Sequence, residues 1–164
     1  MKKIRWQSFI LLFVIVILSS SVVLAQNSAK PSIQTLLESK KYTFTAQFAQ
    51  PLAGRQITLT SSYTLTLTND SLICSLPYYG RAFVAPMNPA EGGLNFTSNH
   101  FDYKVMLGKH GRSTVSIKIN DRSAVNQMYL TVSKNGYASL QVTPVNRQSI
   151  SYYGSVKESK PGAK

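Results

Sequence analysis

The chain has 164 residues, 43% of them apolar, a formal net charge of +12 and a single cysteine. That apolar share excludes wholesale disorder, and the length suits one domain with its own core. One cysteine excludes an internal disulfide and a cysteine-built zinc cluster.

Lys2, Lys3 and Arg5 give a positive start, and ten unbroken apolar residues follow from Phe9 to Leu18. Val23 and Ala25 then satisfy the small-residue rule at a cleavage site. Residues 1–25 therefore read as a removable signal peptide. Its apolar stretch is shorter than the roughly 20 residues of a spanning helix, so no stable membrane span is expected after cleavage. Gln26, not a cysteine, would head the product, which argues against a lipid anchor there. The expected location is the periplasm or the exterior. Losing Lys2, Lys3 and Arg5 leaves a charge of +9.

Residues 26–31 read as a flexible leader and residues 32–156 as a single β-rich domain. Ser32 is a fitting cap for a short helix of two to three turns, with Ile33, Leu36 and Leu37 on one face. Lys40 and Lys41 suit the negative end of its dipole. From residue 42 the period changes to two. Tyr42, Phe44, Ala46 and Phe48 are phased inward against Thr43, Thr45 and Gln47, and Pro51 and Gly54 end that strand. Tyr63, Leu65 and Leu67 form the inner side of a hairpin that turns at Asn69–Asp70 and returns through Leu72, Cys74 and Leu76.

Residues 77 to 92 are rich in proline, glycine and aromatics and read as an ordered loop, with a short strand at Ala82–Ala85. Leu94 and Phe96 open another strand. Phe101, Tyr103, Val105 and Leu107 alternate next, then Val115, Ile117 and Ile119. Met128, Leu130 and Val132 pair through the Asn135–Gly136 turn with Ala138, Leu140 and Val142, an Asn-Gly hairpin signal. The final strand carries Ile150, Tyr152 and Gly154 on one side and Tyr153 on the other, and residues 157–164 are a polar tail. One-sided alternation predicts a mainly β fold. Its antiparallel sheets would form a curled barrel or a two-sheet sandwich, with the helix plugging an end or covering an edge.

No catalytic, metal or cofactor signature rises above background. His100 and His110 belong to no ligand motif, and Asp102 and Glu91 are far apart in sequence. Cys74 sits in an apolar run and reads as a buried small hydrophobe. The cations are scattered and the product is exported, which disfavours nucleic acid and fits an anionic envelope surface. Tyr78, Tyr79, Arg81 and Phe83 are the candidate ligand- or partner-binding residues, because aromatics and arginine are typical contact anchors. Packing of the same side chains within the fold is the competing reading, and it extends to Arg147, Tyr152 and Tyr153.

The pattern resembles the domain-of-unknown-function family 4251, small exported proteins mainly of Bacteroidota. The resemblance spans about residues 32–156. It rests on Lys41-Tyr42-Thr43-Phe44, Ser62-Tyr63, Leu76-Pro77-Tyr78-Tyr79-Gly80-Arg81-Ala82, Gly93-Leu94-Asn95-Phe96, Asn135-Gly136-Tyr137-Ala138 and Arg147 to Gly154. It implies export and a β-rich fold and assigns no activity or catalytic residue. The expected function is a non-enzymatic module of the periplasm or cell envelope that binds a protein, a glycan or an apolar ligand. The alternative is an extracytoplasmic hydrolase using His100 or His110 with Asp102 or Glu91.

Overall fold

A computed structural model describes residues 32–84, 92–108, 111–121 and 124–159. The expected signal peptide and leader, His110, Glu91 and the end of the tail lie outside the described residues. So does Ala85, the last residue of the expected Ala82–Ala85 strand. In that segment the structure has one isolated bridge, Ala82 to Arg147.

The domain opens with α1 (Ile33–Glu38). Among the described residues nine strands follow: β1 (Tyr42–Pro51), β2 (Ile57–Leu67), β3 (Leu72–Leu76), β4 (Leu94–Ser98), β5 (Phe101–Leu107), β6 (Ser113–Ile119), β7 (Val125–Val132), β8 (Tyr137–Pro144) and β9 (Ile150–Glu158). They form one sheet in the order β4-β3-β2-β1-β9-β8-β7-β6-β5. Every pairing is antiparallel.

The two outermost strands explain how this sheet curls. With antiparallel neighbours throughout, β4 and β5 run in the same direction, and only Asn99 and His100 separate them. They are two halves of one bent path. The first half bonds to β3 and the second to β6. The bend carries the chain from one edge of the sheet to the other, and the Asn120 amide bonds the His100 carbonyl at 2.9 Å to start the second ladder. Nine strands thus make eight staves of a nearly closed up-and-down barrel. Of the two architectures expected, the barrel is the one formed. A barrel of this size is just wide enough to be filled by side chains.

Tyr42, Phe44, Leu65, Leu67, Ile117, Met128, Leu130 and Tyr152 are among its fully buried residues, and they join one apolar cluster. Burying each such side chain stabilises by about 1.5–3 kcal/mol. The inward phases expected for β3, β6, β7, β8 and β9 are all observed.

Two phases differ. Phe48 is not an inward residue of β1. The register of β1 slips between Ala46 and Phe48 against both neighbours: against β9 Gln47 is the extra residue of a β-bulge, whereas against β2 the extra residues, Leu59 to Ser62, lie on the β2 side. Beyond the bulge the sides exchange, so Ala49 and Pro51 are buried and Phe48 turns outward. In β5, Phe101, Tyr103 and Val105 are half-buried and Leu107 is exposed. Each half of the bent path has a bonded neighbour on one side only, so the sheet covers these side chains incompletely.

α1 plugs one end. Leu36 and Leu37 are buried and Ile33 packs beside them. The Thr35 amide donates to the Ser32 hydroxyl oxygen at 3.2 Å, the expected cap. The helix is shorter than predicted and stops at Glu38. Lys40 has a left-handed backbone (φ 54°), which turns the chain into β1, and its ammonium lies 5.2 Å from the centre of the Tyr103 ring. Tyr103 Oη donates to the Leu37 carbonyl at 2.8 Å and fastens the plug to β5.

Candidate functional site

The loop leaving β3 crosses the other end of the barrel and is laced to the segment between β8 and β9. The Phe83 amide bonds the Asn146 carbonyl at 2.8 Å, and the Gln148 amide bonds the Arg81 carbonyl at 3.1 Å. Tyr78 Oη lies 3.0 Å from the carbonyls of both Arg81 and Gln148 and shares its one proton between them. Gly80 makes this possible by close approach: a β-carbon there would stand 2.7 Å from Tyr78 Oη. Arg147 stacks 5.1 Å from the Tyr78 ring centre, and its Nη1 reaches the Gly92 and Gly93 carbonyls at 3.2 and 3.3 Å. Burial raises the Tyr78 pKa, and Arg147 offsets part of the rise. The two runs that seemed separate in sequence, Leu76 to Ala82 and Arg147 to Gly154, are thus halves of one lacing.

Of the four candidate residues, Tyr78 and Tyr79 are half-buried against the core, and Arg81 and Phe83 are exposed. None of the four lines the groove on the barrel's outer face. His100 and Asp102 are both exposed, at the bend and on the outer side of β5. Cys74 is buried, and loss of hydration pushes its thiol up to about 12, far from a nucleophile's range. Among the described residues no group of three or more His, Cys, Asp or Glu is placed to hold a metal. No helix among them is long and apolar enough to cross a membrane.

A groove of about 480 Å³ lies elsewhere, on the outer face of the barrel. Its origin is the bulge in β1. Once Phe48 points outward it stands opposite Tyr153 of β9. Tyr153 faces Ser139 of β8, and Ser139 faces Thr131 of β7. These four outward side chains form a row across four adjacent strands. Gly154 allows the arrangement, because a β-carbon there would collide with the Thr45 carbonyl where β1 bulges toward β9. Tyr137 and Ser133 at the β7–β8 turn, and Arg112 just before β6, line the groove further along. Tyr137 is 69% exposed and Tyr153 42%, so their rings are open to a ligand. The lining holds three aromatic rings, hydroxyls, the Gln47 amide and one guanidinium, with no carboxylate.

Phe48, Arg112 and Tyr137 were not legible as site residues. The adjacent Tyr152 and Tyr153 were the available signal, because one of two neighbouring tyrosines in a strand must face outward. Nothing local marks Gln47 as a bulge; the glycine that leaves room for β1 there, Gly154, is on another strand.

Taken together, the molecule is a small up-and-down barrel whose interior is packed with side chains and whose candidate site lies on its outer wall. The chain belongs to the family described as Domain of unknown function (DUF4251), whose sequence profile matches residues 25–156. A crystal structure of a DUF4251 family protein from Bacteroides eggerthii is similar, with a TM-score of 0.54 and 18% identity. The match covers 75% of this chain and 83% of that one, and it supports the fold alone. No curated protein matches the chain.

Proposed function

We propose that this protein is a non-enzymatic binding module of the periplasm or cell envelope, and that the outer-wall groove is its binding site. The observation that carries this reading is the row Phe48–Tyr153–Ser139–Thr131 with Tyr137 and Arg112 at its margin. Aromatic rings left open beside hydroxyls and an arginine are costly to hydration and useful to a partner. Export is supported by the charged start, the apolar run Phe9–Leu18 and the Val23/Ala25 cleavage pattern. Arg81 and Phe83, exposed on the laced end, are a second contact surface in this reading.

Two measurements test it. N-terminal sequencing of the protein recovered from its host should begin at Gln26, and an intact Met1 would remove the export half. Amide chemical shifts should move at residues 47–48, 131–139 and 153–154 when soluble envelope glycans or peptides are added. Silence at all of these positions with every class of ligand would remove the groove.

A further inference from the structure

We infer that the groove takes an acidic saccharide, a sugar chain bearing carboxylates; this rests on the groove being the binding site. Three features of the lining point to that chemistry.

The first is shape. The site is an open trough across the strands, while pockets for apolar small molecules enclose most of the ligand's surface. A ligand seated here keeps one side in water, which a sugar tolerates and a greasy molecule does not. The trough also lies on the face of the sheet, not along an unpaired edge, so it offers no backbone ladder to an extended peptide.

The second is the pairing of rings with hydroxyls. Phe48, Tyr153 and Tyr137 present apolar faces, and beside them stand the hydroxyl oxygens of Ser139, Thr131 and Ser133, Thr131 paired with Thr114 and Ser133 donating to the Tyr137 carbonyl. A pyranose has the matching surface, with an apolar patch of C–H bonds on one face and hydroxyls around its rim.

The third is charge. Arg112 is in the lining without a carboxylate there. The aliphatic stem of Lys134 lies against Gly111, the neighbour of Arg112. A guanidinium offers a carboxylate two parallel donors and gives charge-assisted hydrogen bonds. The charge of +9 expected once residues 1–25 are removed favours the approach of an anionic chain.

The test is calorimetric titration of the protein as exported by its host, with three probes. These are an oligogalacturonate, the neutral oligosaccharide of the same linkage and length, and a poly-glutamate peptide of equal charge. The oligogalacturonate should bind at least tenfold more tightly than either control. Arg112→Gln, at an exposed position, should abolish that preference and leave the weak affinity for the neutral sugar. Tyr137→Ser, also exposed, should weaken both sugars. Equal affinity for the poly-glutamate peptide would overturn the saccharide, and equal affinity for the neutral sugar would overturn the acidic requirement. If no sugar binds while another ligand shifts the amides of residues 131–139, this inference fails and the groove stands. If nothing shifts them, both fail.

Discussion

Tyr152 of β9 donates its hydroxyl proton to the carbonyl of Pro77 at 2.7 Å, tying the last strand of the barrel to the loop that leaves β3. The tyrosine is fully buried and its pKa is pushed far up, chiefly by burial. Inside the barrel the bond has little competition from water, so losing it strands an acceptor. Tyr152→Phe keeps the ring and removes only the hydroxyl. It should destabilise the fold by about 1–3 kcal/mol, read as a lower urea midpoint with an unchanged m value. An unchanged midpoint would mean that the lacing does not hold the end of the barrel.

The same bond shows where sequence reading stops. Tyr152 was legible as an inward residue from the period of two, and so were Leu140 and Val142 on β8 and Val115 and Ile117 on β6. Alternation is a local property, and a strand with one greasy side records it directly. The partner of the Tyr152 hydroxyl lies 75 residues earlier in the chain, and no local pattern encodes such a pairing. Phe48 failed for a related reason. Its alternation with Phe44 and Ala46 is unbroken in sequence, yet the bulge beside Gly154 reverses it. The closing of the barrel was equally hidden, because Asn99–His100 has the look of an ordinary turn. It is a bend within one continuous path, and only the pairing of both halves reveals this.

Gly154 therefore carries a prediction that joins fold and site. A β-carbon there meets backbone, not a movable side chain, so β1 and β9 must separate or the bulge must shift. Gly154→Ala should cost about 1–3 kcal/mol of stability, the usual range for overpacking. It should also move the amide resonances of Gln47, Phe48 and Tyr153 more than those of the distant β6. A variant as stable as the parent, with the β1 resonances unmoved, would show that the bulge does not depend on this glycine.

Cys74 should be silent toward thiol reagents in the folded protein. It is 2% exposed, and its thiol is pushed up to about 12, so the reactive thiolate is scarce at neutral pH. Labelling with a disulfide reagent should follow global unfolding, with one equivalent taken up only in denaturant. Rapid stoichiometric labelling under native conditions would contradict the burial of β3. Cys74→Ala should lower stability modestly and leave ligand binding at the outer groove unchanged, since the two lie on opposite sides of the barrel wall.

The plug sets the alkaline limit of the fold. Burial raises the Tyr103 pKa to about 12, with its contact to Tyr42 offsetting part of the rise. Tyr42, 3.4 Å away between hydroxyl oxygens, is held well above the ordinary tyrosine value by burial and by the charge of an ionised Tyr103. An unfolded tyrosine loses its proton near pH 10, so between about pH 10 and 12 the unfolded chain has released protons that the folded chain retains. Raising the pH then favours unfolding: the contribution is complete below pH 10 and is lost as pH climbs through 12. Denaturant midpoints should be flat from neutral pH to 9 and fall steeply above 10. Tyr103→Phe removes one of the groups responsible, so its midpoint should start lower, having lost the bond to Leu37, and decline less steeply. A decline of equal slope in both proteins would separate alkaline unfolding from the contact between α1 and β5.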